Sequence, residues 1–85
     1  MTRQEIEQKV IELAAEQGGV APTAVTRATH FINDLNYDSL DQMEFAMQAE
    51  DEFEISIADE DVPKIQTVGD AVDYIIEKTN AVAAS

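Results

Sequence analysis

The chain has no cysteine, a single histidine and only 5 Lys plus Arg among its 85 residues. Without Cys it has neither a disulfide framework nor a thiolate metal site, so any thiol chemistry must come from an added group. His30 has no second His and no Cys to complete a ligand set, which makes it a surface or turn residue and leaves no metal site. No apolar run is long enough to span a bilayer, and no basic-apolar leader opens the chain. The expected location is therefore the cytoplasm. Residues 1–85 are read as one domain and a monomer, small enough that the core supplies only modest stability.

What the chain has in excess is negative charge: 18 Asp plus Glu leave a formal net charge of −13. Nucleic acid is excluded as a partner, because its phosphates would be repelled. The distribution says more than the total. Between Arg27 and Lys64 there is no Lys or Arg, while Asp34, Asp38, Asp41, Glu44, Glu50, Asp51, Glu52, Glu54, Asp59, Glu60 and Asp61 all fall there. An acidic run is most often a solubilising surface. This one is interleaved with apolar residues at helical spacing, which suits long-range steering towards basic partners.

Hydrophobic periodicity predicts an all-α fold: a small bundle of three main helices plus one short helix, with a long ordered loop between the first and second. Thr2 and Glu5 stand at capping-box spacing and open the first helix, whose buried stripe is Ile6, Val10, Leu13 and Ala14. Gly18-Gly19 ends it, since glycine accepts the left-handed backbone common just beyond a helix. The loop from Val20 to Tyr37 contains Pro22; its expected apolar anchors are Val20, Val25, Phe31, Ile32 and Leu35, with a helical turn near His30. The second helix spans Ser39 to Phe53, with Asp38 as N-cap and Asp41 complementing the helix dipole. A short segment from Ala58 to Val62 is expected to stop at Pro63. Thr67 and Asp70 open the last helix, which turns Val68, Ala71, Val72, Ile75 and Ile76 inward. Residues 81–85 lack an apolar anchor and are expected to fray.

At 100° per residue the second helix carries two apolar stripes. Phe45, Ala49 and Phe53, with Ala46 beside them, form one; Leu40, Met43 and Met47, flanked by Glu44 and Asp51, form the other. A helix in a small bundle buries one face. The Phe stripe is the natural core side, so the Leu/Met stripe with its acidic border is left for a partner, although an isolated Met is more often core filler.

Ser39 stands between Asp38 and Leu40 at the start of this helix. A serine hydroxyl is a poor nucleophile without a base beside it, and the charged neighbours here are carboxylates. Such a serine suits modification by another protein's active site better than chemistry of its own. Alone, Asp-Ser-Leu says little, because serine is common at helix starts as a cap. Its setting says more. Asp34-Leu35 lies upstream, Glu44 follows, and Glu50-Asp51-Glu52-Phe53 closes the helix. Ile55-Ser56-Ile57, Lys64-Ile65, Thr67-Val68 and Asp73-Tyr74-Ile75 come after in order.

With these motifs the chain resembles, from Ile6 to Ile76, the acyl carrier proteins, in which the serine after an aspartate carries 4′-phosphopantetheine. The resemblance implies a carrier and not an enzyme: 4′-phosphopantetheine bound covalently to Ser39, and acyl intermediates held on it as thioesters, most in keeping with fatty acid biosynthesis. It implies as partners a phosphopantetheinyl transferase (holo-acyl carrier protein synthase) and acyl-transferring and acyl-modifying enzymes with basic docking patches. Asp38 takes the family's role of engaging the modifying enzyme and its magnesium ion. Leu40, Met43, Glu44 and Met47 match positions that the family presents to partners, and Asp51 extends the same face. Four residues depart from the pattern. Gly18 stands where family members often have a larger apolar residue before a single glycine, and is expected to loosen the end of the first helix. Tyr37 replaces a usually small residue and is expected to change how the loop covers the prosthetic-group base. Phe45 replaces an aliphatic one and narrows the interior open to an acyl chain, with Ala46 and Ala49 giving room back. Pro63 is unusual in the short third helix.

Rival readings fare worse. A hydrolytic triad of Ser39, His30 and Asp34 has nothing that places His30 as a base, and 85 residues leave no cleft with an oxyanion hole. Asp34-x-Asn36-x-Asp38 begins like a calcium loop but has Ser39 where Gly is required and Phe45 where Glu is required. There remain an unmodified acidic interaction domain, with Ser39 only a cap, and carriers for polyketide, lipid-modification or other specialised pathways.

Overall fold

A computed structural model describes residues 2–79; the fraying expected at 81–85 lies outside the described residues. Three α-helices, α1 (Arg3–Gly18), α2 (Ser39–Phe53) and α3 (Val68–Thr79), pack around one apolar core, joined through short 3-10 helices at Pro22–Ala24 and Asp59–Lys64. Among the described residues there is no strand, and the expected all-α bundle is the fold observed.

Each α-helix is opened by reciprocal side-chain and backbone hydrogen bonds. In α1 the Glu5 N–H donates to Thr2 Oγ1 (3.1 Å) and the Thr2 N–H donates to Glu5 Oε1 (2.8 Å), which also lowers the Glu5 carboxyl below its ordinary pKa. In α3 the Asp70 N–H donates to Thr67 Oγ1 (3.1 Å) and the Thr67 N–H to Asp70 Oδ2 (3.2 Å). The core takes Ile6, Val10, Ala14 and Ala15 from α1, and Val68, Ala71, Val72 and Ile75 from α3. Leu13 and Ile76 pack half-buried at its edge. Gly19 terminates α1 with φ 70, where any Cβ would be strained. Gly18 remains helical, and a Cβ placed on it would meet Leu35 and Tyr37 at 3.5 Å, so that end is packed and not loosened.

The loop is anchored differently from the sequence expectation. Val20 (39 % exposed) and Ile32 (50 %) face outward, while Val25, Phe31 and Tyr37 are buried. Apolar character in a segment without a period does not fix direction, and the backbone decides it here. Asn36 adopts φ 58, a left-handed bend that Asn tolerates, and Tyr37 after it turns inward. Its hydroxyl donates to Ala14 O at 2.8 Å, and its ring stacks at a tilt on Phe31, with centroids 5.1 Å apart. Tyr37 is therefore a core residue and does not cover the base of α2. Burial pushes its phenol well above the ordinary pKa.

Further along, the loop is sewn to the start of α3. Phe31 N–H donates to Gln66 O (3.0 Å), and Val68 and Gly69 N–H donate to Thr29 O and Arg27 O (both 2.9 Å). The Val68 and Gly69 amides are ones a helix start leaves without an internal partner. His30 lies half-buried in this seam, paired antiparallel with Thr67, and a turn over 31–35 follows it as expected. The Arg27 guanidinium pairs with Glu7 of α1 (3.1 Å) and Asp73 of α3 (2.9 Å).

The short third helix runs Asp59–Lys64, later and longer than the expected 58–62, with Pro63 inside it. It is 3-10 in type. The bond that closes it, Ile65 N–H to Val62 O (3.1 Å), needs no donor at Pro63, and the fixed φ of proline suits the turn.

Candidate functional site

The start of α2 is built by Asp38. The Asp41 N–H donates to Asp38 Oδ1 (2.8 Å) and the Asp38 N–H donates to Asp41 Oδ2 (3.1 Å), a full capping box. Ser39 is thus the first helical residue, exposed and relieved of capping, which removes the reading of it as a mere cap. The Ser39 and Leu40 amides sit in the first turn, where a helix leaves N–H groups free and its dipole is positive.

Along α2 the two stripes separate as the periodicity predicts. Phe45, Ala49 and Phe53 are buried, whereas Leu40 (64 % exposed), Met43 (51 %) and Met47 (61 %) are open to solvent. Asp38, Glu44 and Asp51 are exposed as well, so all six expected partner-facing residues lie on the surface with Ser39. Not every carboxylate of the acidic run does the same work. Glu50 Oε2 accepts from the Ile57 N–H (2.7 Å) and staples the chain beyond α2. Asp61 accepts from the Tyr74 hydroxyl (2.7 Å), which foremost holds its carboxyl below the usual range. Asp41 and Glu44 both receive the side-chain amide of Gln17 from α1, a contact that sequence spacing does not reveal.

Ser39 borders a surface groove of about 300 Å³, with Gln42 and Met43 on the α2 side and Asp59, Val62 and Pro63 on the other. Pro63, odd by sequence, is a wall of this groove. Gln42 and Val62 also line an interior apolar cavity of about 20 Å³ between Phe31, Tyr37, Phe45, Ala46 and Ile75. That volume holds about one water. The expected narrowing by Phe45 agrees with this: its ring packs 5.0 Å from Phe31 and 6.4 Å from Tyr37, and Ala46 leaves only a small residual space. Among the described residues no group of three or more His, Asp or Glu side chains converges as a metal site, and no helix is long and apolar enough to cross a membrane.

Residues 8–75 match a family model described as a phosphopantetheine attachment site. A solved acyl carrier protein from Enterococcus faecalis, described as highly thermostable, is 45 % identical and superimposes with a TM-score of 0.78, over 92 % of this chain and 99 % of that one. The chain belongs to the acyl carrier protein family.

Acyl carrier proteins are carriers and not enzymes, and their prosthetic group is 4′-phosphopantetheine. Membership also implies a phosphopantetheinyl transferase and acyl-handling enzymes as partners. The α2 N-terminus fits this group. It offers an exposed serine on a capped helix start, first-turn amides that favour a phosphate, and a groove that this serine lines.

Proposed function

We infer that Ser39 is the attachment residue and that this acyl carrier protein shuttles thioester-bound intermediates between enzymes of fatty acid biosynthesis in the cytoplasm, as a monomeric single domain. The observation that carries the reading is the division of labour at the start of α2, where Asp38 caps and Ser39 is left exposed beside the groove. When attached, 4′-phosphopantetheine supplies the terminal thiol that a chain without Cys lacks. Ser39 fixes the root of the arm on a rigid helix. Asp38, next to it, is adverse to a phosphate product but serves the magnesium-dependent transferase. Leu40, Met43 and Met47, bordered by Asp38, Glu44 and Asp51, form an apolar centre with a charged rim, which suits docking to basic enzyme surfaces. The whole-chain likeness to the Enterococcus protein and the net charge of −13 support the fatty acid pathway over specialised ones.

The interior cavity is too small for an acyl chain as it stands. A cargo entering between Gln42 and Val62 has to displace the Asp59–Lys64 helix, which contributes no fully buried residue, in preference to α1, α2 or α3, which all do.

Intact mass spectrometry after incubation with coenzyme A, magnesium and a phosphopantetheinyl transferase tests the assignment. The wild type gains one phosphopantetheine, and Ser39→Ala gains none while keeping its helix content. Attachment at another residue such as Ser56 in the variant refutes the site. Transfer of malonyl groups to the holo form and elongation by fatty acid condensing enzymes test the pathway.

A further inference from the structure

The side-chain amide of Gln17 lies across the acidic flank of α2. Its Nε2 donates to Asp41 Oδ1 at 3.3 Å and to Glu44 Oε2 at 3.0 Å, while its Oε1 accepts from Gln48 Nε2 at 3.4 Å. Asp41, Glu44 and Gln48 follow one another at the spacing that puts side chains on one helical face. A single residue from the last turn of α1 thus holds three of α2, with both amide hydrogens and the carbonyl oxygen engaged. The other oxygen of Asp41 accepts from the Asp38 N–H at 3.1 Å, so the contact continues into the cap that precedes Ser39.

Two carboxylates one turn apart repel each other and, left alone, spread over several rotamers. A shared amide fixes both. Because glutamine is neutral, it does so without cancelling either charge. A partner that pairs with an already oriented carboxylate loses less side-chain entropy on docking.

We propose that Gln17 is a positioning residue for partner docking: it presents Glu44, and the Asp38–Asp41 cap before Ser39, to the basic surface of the enzyme that acts on Ser39. The recognition face then extends from α2 onto the end of α1. The proposal rests on the reading of Ser39 as the attachment residue.

Steady-state kinetics of phosphopantetheinyl transfer to the full chain test it, with wild type, Gln17→Leu, Glu44→Gln and the double variant as substrates. Gln17→Leu raises KM about 3- to 10-fold, the range expected for releasing one or two ordered side chains, and leaves kcat unchanged. Its melting temperature falls by no more than a few degrees, because two of the three bonds lost are exposed to solvent. In the Glu44→Gln background the same substitution adds much less, because the charge it orients is gone. Gln17→Ala repeats the result by simple truncation. An unchanged KM, a fall in kcat alone, or an equal effect of Gln17→Leu with and without Glu44 overturns the positioning role. Failure of the wild type itself to be modified overturns the carrier reading, whatever Gln17 does.

Discussion

Adding one methyl group at two glycines should move stability in opposite directions. Gly18 lies in the last turn of α1, and a Cβ there would meet Leu35 and Tyr37 at 3.5 Å, ordinary van der Waals contact. Gly18→Ala then removes the entropic cost of a helical glycine and adds contact, a gain of about 0.5–1 kcal/mol. Gly69 is buried in the first turn of α3, and its Cβ would sit 3.1 Å from Arg27 O and 3.3 Å from Arg27 Cβ. That carbonyl is not free to retreat. It accepts the Gly69 N–H at 2.9 Å, and its side chain is tethered to Glu7 and Asp73. Overpacking against such a neighbour costs about 1–3 kcal/mol, more than the propensity gain in a first helical turn returns. Gly69→Ala should lose about 1 kcal/mol net. In a domain this small 1 kcal/mol shifts the melting temperature by about 4–8 °C, so thermal melts followed by helical circular dichroism resolve both effects. A Gly69→Ala protein as stable as the wild type would refute the reasoning, since it would mean that the seam between the loop and α3 yields at Arg27.

Tyr37→Phe removes the buried bond to Ala14 O and should cost about 1 kcal/mol at neutral pH, measured by denaturant unfolding. Because burial raises the folded-state pKa of Tyr37, its stabilisation is intact below the unfolded value of about 10 and is lost as pH climbs from there towards the folded value. The variant should therefore lose less stability than the wild type on titration above pH ~10, and parallel alkaline curves would count against this. Tyr74→Phe cuts the hydroxyl-to-carboxylate link between α3 and the Asp59–Lys64 helix, so amide exchange at Asp61 and Ile65 should quicken while that of α1 stays as it was. Equal exchange at Asp61 and Ile65 in both proteins would show that packing alone holds this helix.

The parts of the molecule legible in the sequence are those where a repeat and a local chemical signal coincide. The second helix is the clearest case. Asp38 and Asp41 fix its start, two stripes divide its faces, and both bounds and faces are as the periodicity implies. Ser39 was legible as a candidate site through the ordered motifs around it, and the structure leaves it exposed at the start of α2. The loop was not, because no period tells Val20 and Ile32 from Val25 and Phe31, and the inward turn of Tyr37 depends on a left-handed bend at Asn36. Gln17 was invisible for another reason. Its partners Asp41 and Glu44 lie far along the chain and meet it only once α1 and α2 have packed. Glu50 counted as one more surface charge until the chain beyond α2 folded back to place the Ile57 N–H against it.

In a chain with net charge −13 the acidic side chains are held by two kinds of donor, charged and neutral. Arg27 joins α1, the loop and α3 through Glu7 and Asp73, and Lys64 pairs with Asp61 at 3.5 Å, so these cations neutralise carboxylates outside α2. On and beside α2 the identified donors are neutral. Backbone amides serve Asp38, Asp41 and Glu50, and Gln17 serves Asp41 and Glu44. A neutral donor satisfies the lone pairs of a carboxylate and fixes its direction, but leaves its field intact. A lysine at position 17 would hold the same two carboxylates and cancel one of their charges. Glutamine holds both and cancels neither, which is the arrangement that the proposed docking of a basic enzyme requires.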